Sequence, residues 1–125
     1  FLLFSCNNDE NRCESTINCT TLLLPILINV NHENGEPAAL DEYYAINLVT
    51  NKIYDFQNPE DDKARRETGS YLLISDAEIE EIPFDGAPFV FIGKINGREV
   101  IKESYVVGKS CCHIFLISGD REIVI

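Results

Sequence analysis

Four cysteines stand in two tight pairs near opposite ends of this chain: Cys13 and Cys19 near the start, Cys111 and Cys112 near the finish. If the pairs join, everything between them must fold back on itself. Four cysteines allow three connectivities, and an even number in an exported chain points to two disulfides. The spacing suggests that the N-terminal pair is stapled to the Cys111-Cys112 segment. A bridge from Cys19 to Cys111, for instance, closes most of the chain into one loop. In the chain-entropy model such a bridge adds about 4–5 kcal/mol, comparable with the whole stability of a small domain. A vicinal Cys111-Cys112 bridge is strained and ranks last.

Between the pairs, the residues read as short strands. From Thr20 to Asn31 the even positions Leu22, Leu24, Ile26, Ile28 and Val30 are all apolar, the period of a strand with one buried face. Pro25 cannot donate to a ladder, which places this strand at an edge or puts a bulge there. Glu33-Asn34-Gly35-Glu36-Pro37 is a turn. Asp41 to Thr50 predicts a second strand with Tyr44, Ile46 and Leu48 on one face, and Ile53 to Phe56 a third. The period then changes. Asn58 suits a helix cap, Pro59 the first helical position, Glu60, Asp61 and Asp62 the positive end of the dipole, and Gly69 the close. Ala64 is the only apolar interior residue of that helix, so a solvated excursion is expected.

Tyr71 to Ile74 predicts a short strand, and Asp76 to Ile82 fits either a helical turn or an extended linker. Phe89 to Ile95 and Glu99 to Val107 flank Asn96-Gly97, a strong two-residue hairpin signal. Cys111 to Ser118 and Arg121 to Ile125 flank Gly119-Asp120 and predict a second hairpin. The Cys111–Ser118 run is apolar on both faces, with Ile114 and Leu116 on one and Phe115 and Ile117 on the other. That predicts a central strand, or else an exposed patch for a partner. The fold expected is mainly all-β: an antiparallel Greek-key β-sandwich of about seven strands with one short surface helix.

The chain is long enough for one core. Its formal net charge of −11 argues against nucleic-acid binding, which needs a basic surface. After Cys6 no stretch is long enough to cross a bilayer; the apolar run from Thr20 to Val30 is about half the length needed.

Few residues point to chemistry. Cys111-Cys112-His113 combines soft ligands suited to zinc or copper, with Cys111 and His113 the alternative metal pair. Strand alternation turns Cys112 the other way, and structural disulfides are the stronger reading, with no metal and no cofactor expected. His32 sits beside a turn, where a solvated histidine is expected. The carboxylates Asp76, Glu78, Glu80, Glu81 and Asp85, and the run Glu60 to Asp62, lack the oxygen spacing of a calcium loop and read as charged surface. No nucleophile elbow and no phosphate loop is present, so no catalytic residue is assigned and a non-enzyme is expected.

The first residues, Phe1-Leu-Leu-Phe-Ser-Cys6 followed by Asn7-Asn8-Asp9-Glu10, have the form of a lipobox and resemble lipoproteins of Bacteroidetes, especially flavobacteria. With no initiator Met and no basic region, the chain reads as beginning inside its signal peptide. The resemblance implies residues 1–6 as leader remnant and lipobox, lipidation at Cys6, a tether over 7–18 and a β-sandwich domain over 19–125. It also implies attachment to the membrane by the N-terminal lipid, at the outer membrane or cell surface, on its periplasmic or extracellular side. The stretch Ile28 to Pro37 resembles the opening of carboxypeptidase regulatory-like and transthyretin-like β-sandwiches. Tyr105 to His113, with Ser118-Gly119-Asp120, resembles small flavobacterial lipoproteins of unknown function. The His, Arg and Tyr-Arg-Gly-Ser residues of transthyretin-like hydrolases find no counterpart here. The expected role is a lipid-anchored, non-catalytic binding or structural module with a protein or glycan partner. A metal-binding envelope protein is the alternative, and a hydrolase a distant third.

Overall fold

The computed structural model describes Cys13 and residues 18–125. Expectations for Cys6, the leader remnant and most of the 7–18 tether lie outside those residues. Eight strands follow in order: β1 (Pro25–Asn31), β2 (Glu42–Asn47), β3 (Lys52–Tyr54), β4 (Ser70–Ser75), β5 (Ala87–Ile95), β6 (Arg98–Lys109), β7 (Ile114–Ser118) and β8 (Glu122–Val124). Helix α1 (Pro59–Thr68) joins β3 to β4, and a 3-10 helix (Asp76–Glu81) follows β4. The strands form a three-stranded sheet, ordered β4-β1-β8, and a five-stranded sheet, ordered β3-β2-β5-β6-β7. The chain crosses between sheets at β1–β2, β3–β4, β4–β5 and β7–β8, which gives the expected sandwich one strand more than foreseen.

The core lies between the sheets. Ile26, Ile28 and Val30 of β1, with Tyr71 and Leu73 of β4, face Tyr43, Ala45, Phe89, Phe91, Tyr105 and Val107 of the larger sheet. Each large apolar side chain buried there stabilises the fold by about 1.5–3 kcal/mol before entropy is counted. The core tyrosines Tyr43, Tyr54, Tyr71 and Tyr105 are buried with their hydroxyls satisfied. Tyr71 donates to the Ala38 carbonyl at 2.6 Å and accepts from the Leu40 N–H at 2.8 Å. Tyr105 donates to the Asp120 carbonyl at 2.6 Å.

The strand from Thr20 is shorter than expected. It begins at Pro25, and a register shift between Ile26 and Leu27 marks the bulge that proline imposes. Leu22 and Leu24 therefore lie before the strand and are exposed. In β2 the apolar set Tyr44, Ile46 and Leu48 does share a face, but it is the outward one. Tyr43, Ala45 and Asn47 are buried instead. The phase is decided by polar satisfaction: Tyr43 donates to the buried Asp62 at 2.8 Å, and the Asn47 side chain accepts from the Val49 N–H at 3.0 Å.

The Asn96-Gly97 hairpin forms as expected. Both turn residues have positive φ, 52° and 76°, and Ile95 pairs with Arg98 across them. The second hairpin does not form. β7 pairs antiparallel with β6, whereas β8 leaves for the other sheet and pairs parallel with β1. Gly119 makes the switch at φ 122°, its Cα lying against the Tyr105 ring where no Cβ fits. β7 is consequently an edge strand of its sheet, not a central one, and the sheets are not wholly antiparallel. A strand that passes from one sheet to the other is how a sandwich makes a corner.

Helix α1 has its predicted limits. The Asn58 side chain accepts from the Asp61 N–H at 2.9 Å, and Gly69 closes the helix at φ 73°. Ala64 is exposed, and the helix docks through polar groups. Arg66 donates from Nε to the Leu40 carbonyl at 2.9 Å, and Arg65 donates to the Phe56 carbonyl at 2.8 Å and to the Tyr43 hydroxyl. The excursion is tied to the sheet, though not by apolar burial.

Candidate functional site, the cysteine bend and its carboxylate

All four expected disulfide cysteines meet at one corner. Cys13 is bridged to Cys111 and Cys19 to Cys112, across 98 and 93 residues. The N-terminal pair is stapled to the C-terminal pair as foreseen, but Cys19 takes Cys112 rather than Cys111. The adjacent cysteines are not in a strand either. They occupy a bend before β7, where the side chain of Ser110 accepts from the N–H groups of Cys112, at 3.4 Å, and His113, at 3.2 Å. In a bend the alternation of strand side chains does not operate. Consecutive residues can therefore reach two neighbouring partners, as Cys111 and Cys112 do.

One buried carboxylate organises the corner. Asp76, first residue of the 3-10 helix, accepts from the Ile114 N–H at 2.7 Å through Oδ1. Its Oδ2 accepts from the Leu24 N–H at 2.8 Å and meets His113 Nδ1 at 2.6 Å. Three segments distant in sequence are thus held by one side chain: the lead-in to β1, the start of β7 and the end of β4. Burial pushes the Asp76 carboxyl upward, but the bonds from His113, Leu24 and Ile114 outweigh it and hold the group below its ordinary 3.8. The residue was expected as charged surface. Nothing in its local sequence separates it from Glu78 or Glu80, because its partners are supplied by the fold. Asp62, from the other acidic run, is buried in the same unannounced way.

Beside the corner lies an open cleft of about 700 Å³, lined by Cys13, Ile79, Ile82, Phe84 and Lys109 among others. Lys109 donates to the Ile79 carbonyl at 3.1 Å and stands 4.8 Å from the centre of the Phe84 ring. Glu81, at the end of the 3-10 helix, is held below its usual range by Lys52 and by the Tyr54 hydroxyl, which donates to it at 2.7 Å. These charges are paired to the protein itself.

The remaining expected residues are scattered. His32 lies just past the far end of β1 from Leu24, in a second cleft of about 510 Å³ with Arg98 and Asn96. The two histidines therefore share no pocket among the described residues. Cys111 and Cys112 both spend their sulfur in bridges, so the alternative metal pair Cys111–His113 has no free thiolate in this oxidised form. Among the described residues no three His, Cys, Asp or Glu side chains converge as metal ligands, and no helix is long and apolar enough to cross a membrane. The edge position of β7 leaves Phe115 and Ile117 exposed, at 43% and 48%. Comparison with family models, curated proteins and solved structures returns no significant match.

Proposed function

We propose that this protein is a lipid-anchored lipoprotein of the bacterial cell envelope, acylated at Cys6 and acting as a non-catalytic binding or structural module. The observation that carries the reading is the pair of disulfides. They bolt the segment following Cys6 to the sandwich at two consecutive residues, Cys111 and Cys112. Paired oxidised cysteines suit an exported protein, and a doubly cross-linked attachment suits a domain held at a surface by its N-terminal end. The exposed Phe115 and Ile117 favour contact with a second surface over a purely internal role. Outer-membrane or cell-surface placement follows from the lipobox, with a protein or glycan as the molecule engaged.

Mass spectrometry of protein taken from its native host tests this directly. The expected result is a mature N-terminus at Cys6 carrying fatty acids, with the other four cysteines oxidised. An unmodified Cys6 within an uncleaved chain, or four free thiols, overturns it.

A further inference from the structure

We infer that the corner where β1 meets β7 is the surface by which the anchored domain rests on the lipid bilayer. This rests on the anchored reading above. Three observations lead to it.

The first is a set of exposed apolar side chains on two segments that meet at one corner. Leu22 and Leu23 are more than 60% exposed, and Leu24, Leu27, Phe115 and Ile117 between 37% and 48%. They belong together because the Leu24 and Ile114 N–H groups share the Asp76 carboxylate, Cys19 is bridged to Cys112, and β1 runs against β7. Exposed apolar side chains scattered singly need no explanation, but a run of leucines beside an exposed Phe and Ile does.

The second is charge. In a chain of net charge −11, neither residues 20–31 nor residues 110–118 contain an Asp, Glu, Lys or Arg. Asp76, the carboxylate that ties these two segments together, is buried and hydrogen-bonded to three partners, while Glu78, Glu80 and Glu81 follow it on the 3-10 helix, the last two lining the cleft. An uncharged aliphatic surface enters the boundary between headgroup and acyl chain at little electrostatic cost, whereas the acidic remainder of the molecule is repelled from anionic headgroups.

The third is reach. Cys13 is fixed to Cys111 at this same corner, so the chain from the acylated Cys6 to Cys13 sets the greatest distance between corner and membrane. Seven residues span at most about 25 Å even when fully drawn out. The bilayer is therefore always within about one small domain's width of this corner.

The test uses the oxidised full chain coupled through the Cys6 thiol to a maleimide-bearing lipid in phosphatidylcholine vesicles. The chain has no tryptophan, so single-tryptophan variants report cleanly. Leu23→Trp and Phe115→Trp place the probe at the corner. Ile53→Trp places it at an exposed site on β3, the opposite edge of the five-stranded sheet. Circular dichroism and an intact disulfide map establish that each variant folds. With lipids brominated along the acyl chain, tryptophan at 23 and 115 is expected to be quenched several-fold more than tryptophan at 53, with a blue shift. Equal quenching at all three sites, or none, overturns the proposal. Loss of quenching together with a doubled particle mass in solution assigns the corner to a second copy and overturns it as well. Because the tether is imposed chemically, failure here leaves native acylation untouched, and that is read separately by mass spectrometry.

Discussion

Asp76 shows how much one side chain can carry. Its carboxylate replaces the backbone partners that the Leu24 and Ile114 N–H groups lack where the two sheets meet, and it orients His113 by Nδ1. Asp76→Asn keeps the shape but turns donors toward donors. The expected loss is about 1–3 kcal/mol in urea unfolding, because buried N–H groups lose their acceptor. The pH dependence has a definite sign. The folded-state pKa of Asp76 lies below its ordinary 3.8, so the stability it adds is complete above that value and is lost as pH falls through the folded value. Wild-type unfolding midpoints should therefore fall as pH drops below about 4, while Asp76→Asn stays flatter over the same range. None of this was legible in the sequence. A short-range pattern can place Ser75 and Asp76 at the end of a strand, but the acceptor role of Asp76 depends on partners more than thirty residues away on either side.

At the scale of elements, legibility followed locality. The α1 boundaries were readable because Asn58, Pro59 and Gly69 act on backbone groups within a turn of themselves. Asn58→Ala should cost about 1 kcal/mol, measured by thermal or chemical unfolding. The Asn96-Gly97 hairpin was readable for the same reason. The Gly119-Asp120 segment carried a similar signal and misled, since a glycine with positive φ serves a sheet switch as well as a hairpin; the Tyr105 ring decides which. The apolar alternation of β2 identified a strand but reversed its faces. Packing of Ile46 and Leu48 was outweighed by the need of Tyr43 to reach Asp62 and by the self-contained turn made by Asn47. Edge or central position, too, was hidden: β7 is as apolar as a central strand, yet it borders solvent on its outer face.

For the whole molecule, the β-sandwich and the stapling of its ends were legible, because strand periodicity and paired cysteines are global constraints written locally. The exact partners of Cys111 and Cys112 were not. Either bridge alone closes a loop of more than ninety residues, worth about 4–5 kcal/mol in the chain-entropy model. Once one is closed, the second closes only a small ring and adds about 2–3 kcal/mol. A Cys13→Ser/Cys111→Ser variant and a Cys19→Ser/Cys112→Ser variant should therefore each lose far less than the doubly reduced protein, as denaturant midpoints will show. Alkali should act on the core. Burial is the main cause that raises Tyr43 and Tyr54 from 10.0 to about 12, with the Asp62 and Glu81 bonds adding to it. Such groups stabilise the fold fully below pH 10, and that contribution drains as pH climbs through about 12. Ultraviolet titration of phenolate should show these hydroxyls ionising together with unfolding, not before it.

The bridge from Cys13 to Cys111 also decides where a mechanical load travels. A pull on the N-terminal end does not peel β1 from its sheet; it jumps through sulfur to residue 111 and runs on into β7. Under such a pull the chain between Cys13 and Cys111 yields no slack, and β1 to β6 sit outside the line of tension.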